Sequence, residues 1–184
     1  MTIIGITGTL GAGKGTIVEY LVERKGFIHY SVREYLLEEI RNRGMAENRD
    51  SMFNLANELR SQHGPAYVVD QLYQKAAKSS KNCVIESIRT PGEISLLREK
   101  GNFYLFAVDA DPKIRYERIH IRKSETDGVS FQTFLENETR EMNTSDPNKQ
   151  NLGACISQAD FVMMNNGNRE ALFRQLEEVL KRLC

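Results

Sequence analysis

The stretch GTLGAGKGT, Gly8 to Thr16, packs four glycines and a lysine into nine residues. Glycine loses more backbone freedom on ordering than any other residue, so such a cluster marks a place where the main chain must come close to something. Gly8, Gly13 and Lys14 have the G-x-x-x-x-G-K spacing. In that arrangement main-chain N–H groups turn inward around phosphate oxygens and a lysine adds a full charge. Gly11, Ala12, Gly13, Lys14, Gly15 and Thr16 are therefore the candidate polyphosphate-binding residues. The strict pattern puts a hydroxyl directly after the lysine, whereas here Gly15 intervenes before Thr16. A Mg²⁺ ion near Thr16 is expected to complete its shell with water. The bland alternative is a glycine-rich turn carrying an incidental lysine, and the flanking elements decide between the two.

Those flanks have the right form. Thr2 to Thr7 is a short apolar run with β-branched residues, which reads as a buried strand. From Gly15 onward Ile17, Tyr20, Leu21 and Val22 fit a helix face that Gly26 ends. A strand running through a glycine loop into a helix aims a positive helix end at the bound anion. Further strands are expected at Phe27–Tyr30, Asn82–Ser87, Phe103–Ala110 and Asp160–Asn165. Between them lie helical patterns: Ser31 to about Arg43, Met52–Gln62, Ala66–Lys78, Pro91–Lys100, Pro112 to about Lys123, Phe131–Met142, and a last one carrying Leu172, Leu176 and Val179 on one face. Ser31 is expected to cap its helix, with Glu34 completing a capping box. Strands alternating with helices predict a three-layer α/β/α fold around a five-stranded parallel sheet. The segment from Arg115 to Asn151 is polar and weakly apolar, and reads as a short lid or mobile flap. A single domain, 1–184, is expected, with acceptor-binding helices at about 31–80 and the lid at about 115–151.

Lys plus Arg equals Asp plus Glu at 25 each, so a broad basic field for a nucleic-acid polymer is not expected and anion recognition must be local. At 40% hydrophobic and 27% charged residues the chain has the makings of a packed core. Cys83, Cys155 and Cys184 are far apart, which argues against a disulfide framework or a cysteine metal site. No apolar run approaches the ~20 residues of a membrane helix. The expectation is a cytoplasmic protein with no membrane partner, monomeric or homodimeric. His29, His63 and His120 are scattered and assigned no chemistry.

Phosphate-loop proteins include GTPases, ATPases and kinases. The guanine signature N-K-x-D is absent, since NKQN at Asn148 lacks the acid, and 184 residues leave little room for ATPase machinery. The form GxxGxGKGT resembles the loop of adenylate kinase and related nucleoside monophosphate kinases. HYSVREYL (His29 to Leu36) is similar to that family's H-I-S-T-G-D-M-L segment, and ESIRTP (Glu86 to Pro91) to its D-G-x-P-R-T segment. VDADPKIRYERIHIRK (Val108 to Lys123) resembles the segment entering its lid. The tail ADFVMMNNGNREALFRQL also resembles dephospho-CoA kinases and small archaeal-type kinase-like proteins.

The resemblance implies a P-loop kinase fold that uses ATP and Mg²⁺. The expected reaction moves the γ-phosphate to a small phosphorylated acceptor, a nucleoside or deoxynucleoside monophosphate. A dephospho-CoA kinase or another hydroxyl kinase is the near alternative, and a non-catalytic nucleotide-binding module a second. It puts Arg118 and Arg122 on the two lid arginines that touch donor base and phosphates, and Arg140 as another lid arginine. Asn165 and Gly167 fall beside the donor adenine, and Ser31, Arg33, Glu34 and Arg89 at the acceptor. The family's acceptor arginine falls on Leu37 here, so Arg33, Arg41 or Arg43 is expected to replace it. Glu86 ends an apolar strand, where an unpaired carboxylate is costly. It is expected to order metal-bound water together with Thr16, or else to pair with Arg89. Glu34 needs no role beyond its cap, and Arg118 and Arg122, four apart, also fit a solvated stripe.

Overall fold

The computed structural model describes residues 1–122 and 129–183, apart from the side chains of Arg49 and Arg122. Five strands, β1 (Ile3–Gly8), β2 (Ile28–Ser31), β3 (Cys83–Glu86), β4 (Phe103–Asp109) and β5 (Phe161–Met164), form one sheet in the order β2-β3-β1-β4-β5. Every adjacent pair is parallel. β1 is buried at all its positions, as a central strand covered on both faces must be. The chain leaves β1 toward one side of the sheet and β4 toward the other. Such a divergence opens a crevice beyond the carboxyl ends of the strands. The register brings Ile6, Ser31 and Glu86 abreast there, and sets Gly8 beside Val108.

Successive strand side chains go to opposite faces. Ile4, Ile6, Val84, Phe106 and Val108 pack under α1 (Lys14–Lys25) and α9 (Arg169–Lys181). Ile3, Cys83, Ile85 and Leu105 pack on the other face. That face is covered by α2 (Val32–Asn42), α3 (Arg49–His63), α4 (Tyr67–Ser79), α5 (Pro91–Glu99) and α8 (Leu152–Ser157). Burial pushes the Cys83 thiol up to about 11 and the Cys155 thiol to about 12, so neither is a thiolate at neutral pH. Two further helices, α6 (Pro112–Arg122) and α7 (Phe131–Met142), meet through Tyr116, Phe131 and Phe134.

The architecture is the three-layer arrangement expected, with strand ends shifted by at most one residue. Two local readings are corrected. No helix was expected between Met142 and Asp160, yet α8 stands there: Asn151 accepts the Ala154 N–H, and Leu152 and Cys155 are buried. The capping box at Ser31 is half formed, because Ser31 accepts from the Glu34 N–H with no return bond. The complete box belongs to Thr90 and Glu93 at the start of α5. The expected lid at about 115–151 includes residues 123–128, outside the described ones; in its described part Arg115 is 2% exposed and Phe134 of α7 is buried. Among the described residues no helix is long and apolar enough to cross a membrane.

Candidate active site

The loop between β1 and α1 is held by contacts that only glycine permits. At Gly8 (φ 138°) a β-carbon would sit 2.0 Å from the Val108 carbonyl oxygen, and at Gly13 (φ 107°) 2.4 Å from Asn165 Nδ2. Side-chain bonds brace the same loop. Asn165 Nδ2 donates to the Ala12 carbonyl at 2.8 Å, Thr9 Oγ1 to Asp109 at 2.6 Å, and Thr7 Oγ1 to the Ile88 carbonyl at 2.8 Å. Gly15 is different: a β-carbon there would meet nothing within 4 Å. It lies in the first turn of α1, facing open space.

Lys14 reaches back over the loop and donates to the Gly8 and Thr9 carbonyls at 2.8 and 2.9 Å. Burial, and next the Arg89 guanidinium, push its ammonium down to about 7, against the pull of Glu86 and Glu141. A lysine so placed is only partly charged at neutral pH, and arriving anionic oxygens favour its full charge.

Glu86 ends β3 beside Lys14. Burial pushes its carboxyl up, but His29, Ser31 and Lys14 outweigh that and hold it below the ordinary glutamate value. Ser31 Oγ donates to it at 3.2 Å, and His29 Nε2 stands 3.5 Å away, an ion-pair distance more than a well-formed hydrogen bond. The next residue, Ser87, has φ 68°, a left-handed conformation that a residue with a side chain adopts at a cost of roughly 1–3 kcal/mol. Arg89 does not pair with Glu86. Its Nη1 donates to Glu141 at 3.2 Å and to Gln150 at 3.4 Å.

These groups line one cavity of about 950 Å³ at the carboxyl ends of the strands. Gly11, Gly13, Lys14, Gly15 and Thr16 of the loop and the start of α1 line it, together with Arg33, Glu86, Arg89 and Arg118. Val32, Leu36, Met52, Phe53 and Ala56 give the same cavity an apolar lining. The cations Lys14, Arg33, Arg60, Arg89 and Arg118 face the carboxylates Glu19, Glu86 and Glu141, so a chain of zero net charge carries a local positive surplus here.

Other candidates from the sequence are placed differently. Ala12 is buried in the core beneath the loop. Ser31 and Asn165 are buried and act through Glu86 and the loop carbonyl respectively, while Gly167 receives Arg118 Nη2 on its carbonyl at 3.3 Å. Glu34 is exposed and does not line the cavity. Arg140 is also exposed and bonds Asn137 at 2.6 Å, and it is the neighbouring Glu141 that reaches the cavity. Arg122 closes α6, and its side chain lies outside the described ones. Arg41 and Arg43 pair with Glu47 and Glu58 at the surface, away from the cavity.

Sequence reasoning missed four residues. His29 flanks Glu86. Arg60 lines the cavity and pairs with Glu93. Glu141 holds Arg89. Arg115 ties the Leu10 and Ala110 carbonyls to Glu138 of α7. His29 and Arg115 lie within the segments HYSVREYL and VDADPKIRYERIHIRK without being singled out by them, and Arg60 and Glu141 lie in no motif; a lone basic residue inside an apolar helical pattern, as at Arg60, is the one further signal.

A parallel sheet in this order, with the glycine loop between β1 and α1 braced as described, defines a P-loop kinase-like domain. The chain belongs to the family described as AAA domain, whose model matches residues 4–146, and to the UPF0200 proteins. A UPF0200 protein of Methanococcus maripaludis is 31% identical over 100% of this chain and 98% of its own length. Another, from Pyrobaculum aerophilum, is 28% identical over 100% and 99%. Among solved structures, TT1252 from Thermus thermophilus superposes with a TM-score of 0.63 at 24% identity, covering 100% of this chain and 98% of that one. A shikimate kinase from Bacteroides thetaiotaomicron has a TM-score of 0.61 at 15% identity, covering 99% and 98%. A gluconokinase from Sinorhizobium meliloti has 0.57 at 16%, covering 99% and 93%. At these identities the solved structures speak to the fold alone.

Proposed function

We propose that this protein is a small-molecule phosphotransferase that moves the ATP γ-phosphoryl group to a phosphorylated acceptor, a nucleoside or deoxynucleoside monophosphate. The observation that carries the reading is one cavity lined by the glycine loop and Lys14, by Arg33 and Arg89, and by apolar side chains of α2 and α3. A loop for one anion, further guanidiniums and an apolar lining in the same cavity suit two substrates held together. Phosphoryl transfer asks for positioning and charge neutralisation. The γ-phosphorus–oxygen bond to ADP breaks as an acceptor oxygen bonds to phosphorus, and Lys14, Arg89 and Arg118 are the cations in reach of the migrating charge.

The choice of a phosphorylated acceptor rests on the cations Arg33 and Arg89 in the cavity besides Lys14. A hydroxyl acceptor would use a nearby carboxylate such as Glu86 to take its proton. A phosphate acceptor arrives already ionised and needs none. Glu86 and the Thr16 hydroxyl instead fit a hard cation such as Mg²⁺, held chiefly by phosphate oxygens and water. Among the described residues no cluster of three or more His, Cys, Asp or Glu offers a protein-only cage. When bound, Mg²⁺ supplies charge neutralisation on the transferring phosphates.

The test is ADP release with ATP and a panel of acceptors: nucleoside and deoxynucleoside monophosphates, dephospho-CoA, shikimate and gluconate. The expected result is turnover with a monophosphate. Turnover on hydroxyl acceptors alone would reassign the protein as a hydroxyl kinase. ADP formed equally without any acceptor would make it an ATPase, and ATP binding with no ADP at all a nucleotide-binding module.

A further inference from the structure

The cavity has a guanidinium whose chemistry the proposed function leaves unused. Arg60 lies on α3 four residues beyond Ala56 and eight beyond Met52, so the three share one helix face. That face lines the cavity, running from half-exposed Phe53 and Met52 through Ala56 to Arg60. Its outer end is apolar and its inner end is a cation.

Arg60 is 1% exposed. Nη2 donates to Glu93 Oε1 at 3.3 Å, whereas Nε and Nη1 are buried and have no hydrogen-bond partner among the described residues. Glu93 spends its other oxygen on the Arg89 and Thr90 backbone N–H groups, at 2.6 and 3.1 Å. A purely structural Arg60 would brace Glu93, and through it the backbone that carries Arg89. That role uses one nitrogen of three. Buried N–H donors are almost always met, and a guanidinium presents its donors as a planar fork that matches an oxyanion. Two unmet nitrogens on the wall of a cavity call for an acceptor that arrives with a ligand.

We propose that Arg60 recognises an oxyanion carried by the acceptor, a phosphate monoester or a carboxylate, seated at the inner end of the α3 face with Arg89, while Met52 and Phe53 take the acceptor's apolar or aromatic body. The proposal leans on the kinase reading only in naming that ligand the acceptor; the site itself is an anion site with an apolar approach. Arg60 is here a specificity-determining residue, distinct from Lys14 and the loop that serve the donor.

The experiment measures binding, by calorimetry, to the full chain saturated with a non-hydrolysable ATP analogue. The probes are AMP, CMP and dTMP against adenosine, cytidine and thymidine, and shikimate against its methyl ester. The wild-type protein is expected to favour the anionic member of its preferred pair by about 10- to 100-fold, the value of one or two charged hydrogen bonds. Which pair responds separates phosphate from carboxylate. In Arg60→Lys, which keeps a charge for Glu93 but loses the fork, that preference should fall by about tenfold, with affinity for the ATP analogue within about twofold of wild type. The double variant Arg60→Met with Glu93→Gln removes the buried charges together while leaving an amide oxygen for the Arg89 and Thr90 N–H groups. It should lose the preference entirely. An anion preference unchanged in both variants, or no Arg60-dependent binding by any probe, overturns the proposal. Arg60-dependent binding without ADP release would instead sink the kinase reading and leave this site standing. ADP release with a wild-type acceptor KM in Arg60→Lys would do the reverse.

Discussion

Lys14 has two carbonyl oxygens as partners, and burial, then the charge of Arg89, disfavours its ammonium, which makes it a proton-linked group. Its folded value of about 7 lies below its ordinary 10.5, so the unfolded chain holds the extra proton between the two. From this group the ligand-free protein gains stability as pH rises from about 7 toward 10.5, and Lys14→Met should flatten that slope. A polyphosphate restores the charge. ATP binding at pH 8 should therefore take up close to one proton, visible as a dependence of binding heat on buffer ionisation enthalpy. Heats independent of buffer would refute the linkage. In turnover, Lys14→Met should cost roughly 10²-fold or more with the fold retained. Gly15 makes the opposite kind of prediction. Its β-carbon would touch no protein atom, yet it lines the cavity. Gly15→Ala should raise unfolding free energy by up to about 1 kcal/mol, the usual gain from replacing a helical glycine, while weakening ATP binding. Affinity left unchanged would mean that phosphates do not occupy that space.

At the scale of elements, the loop is braced from outside itself. Arg115, at the start of α6, donates to the Leu10 and Ala110 carbonyls and grips Glu138 with both terminal nitrogens, its guanidinium lying over the Phe134 ring. The Arg115 carbonyl also stands 2.6 Å from where a β-carbon on Gly11 would be. One residue thus couples the glycine loop to α7. Breaking a buried ion pair leaves an uncompensated charge, so Arg115→Met should destabilise the fold by about 3 kcal/mol. Adding Glu138→Gln should recover part of the loss. A Tm equal to wild type in the single variant would show that the pair does not brace the loop.

For the whole molecule, the sheet and its two packed faces fold around a loop that a ligand can stabilise from one side. ATP analogue at 100 times its Kd should add about 2.7 kcal/mol and raise Tm by about 5–10 °C, and Lys14→Met should lose most of that shift. The same shift in the variant would place the nucleotide elsewhere. With 25 acidic and 25 basic residues, the cations in the cavity act locally. Added salt should then weaken ligand binding modestly, without the steep dependence of a protein that tracks a nucleic-acid backbone.

Local chemistry made much of this readable in advance. Glycine tolerance at positive φ, a lysine at the right step and a switch from β-branched runs to helical periodicity all act within a few residues, and they located the loop, the strands and the parallel layers. Glu86 was legible because a carboxylate closing an apolar run demands an explanation wherever the chain goes. Its partners were not: Ser31 and His29 arrive from β2, 55 and 57 positions away in sequence, through the β2–β3 register. Arg89 and Glu141 meet across 52 positions, and Arg60 and Glu93 across 33. Arg140 and Glu141 are adjacent in sequence, and only the packing of α7 turns one to solvent and the other to the cavity. Pairing between distant charges depends on which helix face is covered and by what, a property of the folded chain that no run of neighbouring residues contains.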